Sequence, residues 1–285
     1  MISFLHFPRR EGPWQPPWTA RKARELYRIA KRQGVWDPEQ IPVAEDRADC
    51  ERLPAEHRAQ LLKVCSLFYE GEVSVADTLA WWLIAMPDLD RRTFLASQLF
   101  EEVKHAEFFG LYFREVLGEV DTSAYLVPAY RSVLVEELRE RGRAIGRAVL
   151  EVRDTDGAEL ERALVLGMTH YMGVIEGVMA VTGYDYFEEA LTPSRILPRL
   201  LQGIRLIRAD EGHHITAGMD FLRERLAARP ELAEAVAQLF FEEAQRIPAR
   251  TDFIFETNPF GLDRERMMAI AYQHGAQRSR EIGLS

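Results

Sequence analysis

The pattern Glu-x-x-His occurs twice in this chain, as Glu102-Val103-Lys104-His105 and as Glu211-Gly212-His213-His214. On an α-helix, residues three apart are neighbours on one face, so the carboxylate and imidazole of each copy reach toward one point. Each copy is therefore half of a metal site, and only the packing of one helix against another brings the halves together. Apolar residues surround both copies at helical spacing: Leu95, Leu99, Phe109 and Tyr112 for the first, Ile204, Ile207, Gly218 and Phe221 for the second. The four polar side chains thus lie in stripes that face a core.

Two further segments carry a lone glutamate inside an apolar stripe. Cys65, Phe68, Glu72, Val75 and Leu79 share one helix face, and Val165, Thr169, Met172, Glu176 and Met179 share another. A single Glu-x-x-His is a weak signal, because such pairs are common on solvated helices. Six groups in the stripes of four helices (Glu72, Glu102, His105, Glu176, Glu211 and His214) are a strong one, since buried unpaired charges cost several kcal/mol each. Four carboxylates neutralise two divalent cations, and two imidazoles favour first-row transition metals over magnesium or calcium. This is the ligand set of a four-helix bundle that holds two metal ions.

Asp210 and His213 also stand three apart, but Glu211 and His214 continue the stripe and are preferred as ligands. Asp210 reads as an acceptor that holds a ligand histidine in its metal-binding tautomer. His6, His57, His170 and His274 lack such company and are expected at the surface or core edge.

The remaining chain supports an all-α fold: a ferritin-like four-helix bundle core with additional helices. No strand-like alternation of useful length and no glycine-rich phosphate loop interrupts the helical pattern. Glu72 precedes Glu102 by 30 residues and Glu176 precedes Glu211 by 35, so the halves read as a pseudo-repeat. Asp154-Thr155-Asp156-Gly157 is a turn between them, Gly183 with Tyr184-Asp185 marks a break, and Pro193 and Pro198 bound a connector. Helices are expected at 19–31, from Glu231 to Gln245 and from Asp263 to Arg278, with Trp36-Asp37-Pro38 and Pro87 as breakers. One domain over residues 1–285 is expected, with a segment of about 1–53 wrapped over its body and Trp14 and Trp18 buried.

No apolar run approaches the ~20 residues that span a bilayer, and the start has no signal-peptide core. A cytoplasmic protein without a membrane span is expected. Cys50 and Cys65 read as ordinary thiols. A net charge of −9 argues against a large phosphate-binding surface, and so against nucleic acid as a partner.

With these residues in hand, the chain resembles the ferritin-like superfamily and, more closely, the radical-generating small subunit of ribonucleotide reductase. The resemblance covers most of residues 36 to 225. It rests on Trp36-Asp37-Pro38, Asp46-Arg47-Ala48-Asp49, Glu102-x-x-His105 and Asp210-Glu211-x-x-His214. It implies a hydrogen-bonded path from Trp36 through Asp210 to a metal-bound histidine. Where most of those subunits carry the radical tyrosine, four residues after the first ligand histidine, this chain has Phe109.

Gly71-Glu72-Val73-Ser74-Val75 and Tyr171-Met172-Gly173-Val174-Ile175-Glu176-Gly177 are instead similar to the branch of small-subunit-like ligand-binding oxidases. That resemblance implies a manganese–iron centre that activates dioxygen, a long-chain fatty acid at the metals and an ether cross-link between a tyrosine and a valine. The matching residues are Tyr171 and Val75. It also implies Glu72, Glu102 and His105 around manganese and Glu176, Glu211 and His214 around iron, with Glu102 and Glu211 bridging. A di-iron centre is the variant of this expectation, and a homodimer is expected. Val75 follows Glu72 by one helical turn, whereas Tyr171 on an ideal α-helix lies about 140° around the axis from Glu176. A π-bulge would remove that mismatch.

Three functions compete: the oxidase, a reductase small subunit, and an iron-binding ferritin-like bundle. A reductase subunit is expected to carry a tyrosine in a docking tail, and none follows Gly275. Storage bundles have no use for the segment from Trp14 to Trp36.

Overall fold

In the computed structural model, which describes residues 20–86, 88–151 and 157–284, long helices lie where the apolar stripes place them. Helix α1 (Arg21–Gln33) buries Ala23, Leu26 and Ala30 along one side and stops at Gly34. Short 3-10 turns and α2 (Arg47–Arg52) lead into α3 (Ala55–Ala85), and Asp88 caps α4 (Leu89–Tyr112) by accepting from the Arg91 amide. Helix α5 spans 128–151 and α6 spans 158–191, each with an internal π-helical stretch. Helices α7 (Pro198–Ala228), α8 (Ala233–Phe255) and α9 (Arg264–Glu281) complete the chain. The structure is all-α, and no strand occurs among the described residues.

Helices α3, α4, α6 and α7 carry the polar cluster. Helix α1 lies across α4 and α7, while α8 and α9 pack on the π segment of α6. The stretch Asp46-Arg47-Ala48-Asp49 sets the start of α7. Asp46 accepts from the amides of Arg199 and Leu200, and Asp49 accepts from the amide of Leu197, whose φ of 52° is left-handed. Two carboxylates thus satisfy the orphan donors at the end of the helix that bears Glu211 and His214.

Two sequence expectations need correction. Gly183 does not break α6, which runs on to Leu191. The glycine is there for close approach, because a Cβ would fall 2.5 Å from Cζ of Phe68. The same helix is also long and apolar enough to cross a bilayer by length and composition, since only Glu176 interrupts its central run; 78% of that window is buried inside the protein. The indoles of Trp14 and Trp18, the break at Pro87 and the turn at 154–156 lie outside the described residues.

Candidate metal centre

Glu72 comes from α3, Glu102 and His105 from α4, Glu176 from α6, and Glu211 and His214 from α7; none is more than 7% exposed. Nδ1 of His105 stands 3.6 Å from Glu72, 3.8 Å from Glu102 and 3.5 Å from Glu211. Nδ1 of His214 stands 3.3 Å from both Glu102 and Glu211. The two motif glutamates therefore face both imidazoles. Glu72 lies on the His105 side, and Glu176 groups with Glu102 and His214.

The spacing suits shared ions. Two atoms that each sit ~2.1 Å from one cation stand about 3–3.5 Å apart, close to the range seen here. Nδ1 of both histidines and one oxygen each of Glu176 and Glu211 are buried without a hydrogen-bond partner. Buried polar atoms in native proteins are satisfied, and two cations among these atoms would satisfy all four.

The outer nitrogens of the two imidazoles are held across the helix pair. Nε2 of His105 lies 3.2 Å from Asp210 of α7, and Nε2 of His214 lies 2.7 Å from Glu101 of α4. Each acceptor immediately precedes the motif glutamate on the opposite helix, so each motif offers one candidate ligand pair and an acceptor for the other motif's histidine. Asp210, read from the sequence as an acceptor for a ligand histidine, faces His105. Glu101 was missed, although its position before Glu102 repeats that of Asp210 before Glu211. His213 also donates toward Glu101, at 2.9 Å, and Glu101, His213 and His214 form a second acidic and imidazole group. Gly34 makes room for this arrangement, since a Cβ there would meet Oε1 of Glu101 at 2.1 Å.

Trp36 donates from Nε1 to Asp210 at 2.8 Å and stacks on His105 with ring centroids 6.0 Å apart. The path implied by the resemblance is thus present as a chain of contacts. Phe109, fully buried, stacks on Phe68 at 5.5 Å.

Residues Thr169–Ala180 are π-helical, which brings residues five apart onto one face as three and four apart are in an α-helix. Tyr171 consequently points to the same cluster as Glu176. Its hydroxyl donates to Glu102 at 2.8 Å and accepts from Gln98 at 2.7 Å. Nε2 of Gln98 also lies 3.3 Å from Glu176. Gln98, fully buried in the centre of α4, is a second residue that sequence reasoning missed. Tyr184 is equally buried, and its hydroxyl has no hydrogen-bond partner among the described residues. His170 is not at the core edge as expected: the π segment turns it fully inward, 3.5 Å from Glu137 of α5. His57 and His274 are partly buried, the latter paired with Asp185, and His6 lies outside the described residues.

Protonation balances the charge of the metal-free cluster. Burial raises Glu72 and Glu176 well above the usual carboxylate range, and Glu102 and Glu211 add to it. Burial acts upward on Glu102 and Glu211 too, but His105 and His214 overcome it and hold both below that range. Burial alone would discharge the imidazoles, yet their carboxylate partners, Asp210 first for His105 and Glu101 first for His214, keep them well above the ordinary histidine value. Divalent cations would replace these protons.

Beside the cluster, a pocket of about 400 Å³, partly open to solvent, is lined by Glu72, Val75, Glu102, Glu176 and Glu211 together with Leu67, Phe68 and Met179. Leu67, Phe68 and Met179 also line a second, largely apolar space of about 680 Å³, partly open to solvent, that extends to Arg250.

Residues 17–269 match the family model "Ribonucleotide reductase, small chain". Among solved structures, an R2-like ligand-binding oxidase with an aerobically reconstituted Mn/Fe cofactor superimposes with a TM-score of 0.84 at 23% identity, over 93% of this chain and 94% of that one. A valine-to-leucine variant of an R2-like ligand-binding oxidase, reconstituted anaerobically with Mn/Fe, gives 0.83 at 23% identity over 96% of both chains. A tyrosine-to-phenylalanine variant, reconstituted aerobically, gives 0.82 at 24% over 96% of both. At these identities the likeness establishes the ferritin-like fold.

Proposed function

The chain belongs to the ribonucleotide reductase small-chain family, and we propose that within it this protein is a dioxygen-activating Mn/Fe oxidase. In this reading Glu72, Glu102, His105, Glu176, Glu211 and His214 hold the two ions, with manganese on the Glu72–His105 side, iron on the Glu176–His214 side, and Glu102 and Glu211 shared. By the Irving–Williams trend oxygen-rich ligands bind iron more tightly than manganese, so the manganese position requires geometric or kinetic selection. The redox-active ions supply dioxygen binding and two oxidising equivalents. The protein works as a homodimer.

The observation that carries the reading is Tyr171, whose hydroxyl donates to Glu102 while the alternative site at position 109 holds a phenylalanine. Gln98 and Glu102 orient the phenol, and Val75 lines the pocket formed by the same carboxylates. An ether between the Tyr171 oxygen and Val75 Cβ follows when the O–H and C–H bonds break and two electrons and two protons pass to dioxygen. The apolar walls exclude water and accept the tail of a long-chain fatty acid, each buried methylene contributing about 0.8 kcal/mol.

Peptide mapping after reconstitution with manganese and iron in air tests this. The Val75 and Tyr171 peptides should be joined and two hydrogens lighter than their sum, Tyr171→Phe should lack the joined species, and denaturing extraction should release fatty acid. Separate peptides in fully oxidised protein would remove the main support. A reductase small subunit is the second reading, favoured by the Trp36–Asp210–His105 contacts. Restoration of nucleotide reduction on addition of a reductase large subunit would select it.

A further inference from the structure

Lys104 lies inside the first metal motif, between Glu102 and His105, and its side chain is only 4% exposed. A lysine rarely enters a core without partners that hold its charge, and here three groups fix the ammonium. It donates to the Gly34 carbonyl at 3.0 Å and to Asp210 at 2.9 Å, and it stands 4.2 Å from the centroid of the Trp36 ring. Trp36 is also the indole that donates to Asp210 and stacks on His105. It is partly exposed, so it is the outer end of the chain of contacts from Trp36 through Asp210 to His105.

The cation attracts the neutral ring through the negative face of its π-system. Loss of an electron makes the indole a cation and turns that attraction into repulsion at the same short distance, in a site where little water intervenes. From this geometry we infer that Lys104 insulates Trp36: its fixed charge opposes removal of an electron from the indole and closes the path between the surface and His105 to one-electron traffic. For an enzyme that has to retain two oxidising equivalents at its metals, such a barrier prevents their loss one at a time. The purpose assigned to the barrier rests on the oxidase reading, whereas the barrier itself rests on contacts that include no metal.

The test uses the full-length protein loaded with redox-inactive zinc, so that the only oxidant is added. A flash generates ruthenium(III) tris-bipyridine, which takes one electron from an indole and returns to ruthenium(II); for Trp36 the acidified Nε1 proton passes along its hydrogen bond to the Asp210 carboxylate. The yield of tryptophanyl radical that disappears in Trp36→Phe is assigned to Trp36. This yield should be low in the parent and in Lys104→Arg, which keeps the charge, and should rise roughly tenfold in Lys104→Met, as expected for loss of one buried cation–π contact. Equal yields in the parent and Lys104→Met would overturn the inference. A rise in Lys104→Arg as large as in Lys104→Met would also overturn it, by assigning the effect to packing. Zinc content is measured separately, so failure to bind metal would count against the oxidase reading while the comparison of lysine variants stands.

Discussion

Glu101 accepts a hydrogen bond from Nε2 of His214 at 2.7 Å, reaching from α4 to α7, and Asp210 reaches back from α7 toward His105. The repeated motif is therefore one residue longer than Glu-x-x-His. An acidic residue precedes each copy, and its partner is the histidine of the other copy.

Removal of Glu101 should loosen the centre without removing a ligand. Glu101→Ala is expected to fold and to lose about 10–100-fold in metal affinity, the usual range for a group that orients a ligand histidine. Competition with a chelator of known affinity measures this. Unchanged affinity would mean that the hydrogen bond does not set the orientation of His214.

Metal-free protein should lose stability as pH rises, and the stabilisation gained from metal should grow. Glu72, Glu176, His105 and His214 are raised in the fold, so the folded state binds their protons more tightly than the unfolded chain does. Their contribution is complete below the unfolded values of 4.5 and 6.5 and is lost as pH rises through the higher folded values. Glu102 and Glu211 are lowered and act in the reverse sense, losing their contribution as pH falls below the ordinary carboxylate range. As pH rises above the unfolded histidine value the four raised groups dominate, and the Tm of metal-free protein should fall. Metal ions displace the same protons, so the rise in Tm on adding metal should grow with pH. A metal-induced rise that shrinks with pH would place the ions elsewhere.

Gly183→Ala should destabilise the protein by about 1–3 kcal/mol, the cost of overpacking a core. The new Cβ would meet Phe68, which must then shift against Phe109 and into the cavity that it lines. Thermal melting gives the loss, and extraction should recover less acyl ligand from the variant. A Tm equal to that of the parent would show that Phe68 yields freely.

The four bundle helices and the six side chains of the candidate centre were legible because a carboxylate in an apolar stripe is costly unless something compensates it, and the stripes follow from spacing alone. Asp210 was legible from its place one residue before Glu211, and Trp36 only through resemblance. Glu101 and Gln98 were not read because their roles depend on which side chains the opposite helices present, and periodicity within one segment does not contain that information. The π register of 169–180 changes which residues share a face. It brings Tyr171 to the carboxylates, where α-helical spacing puts it on another side, and turns His170 inward to Glu137. Gly183 misled because a glycine required by a neighbouring ring reads, in one dimension, like a glycine required by a turn.

That the six side chains hold two ions side by side is tested most directly by anomalous diffraction from the metal-loaded protein, with maps collected at the manganese and iron edges. Two peaks are predicted within the group formed by Nδ1 of His105, Nδ1 of His214 and the four glutamates, with manganese nearer Glu72 and iron nearer Glu176. A single peak in that group, or a peak at Glu101, His213 and His214 instead, would contradict it.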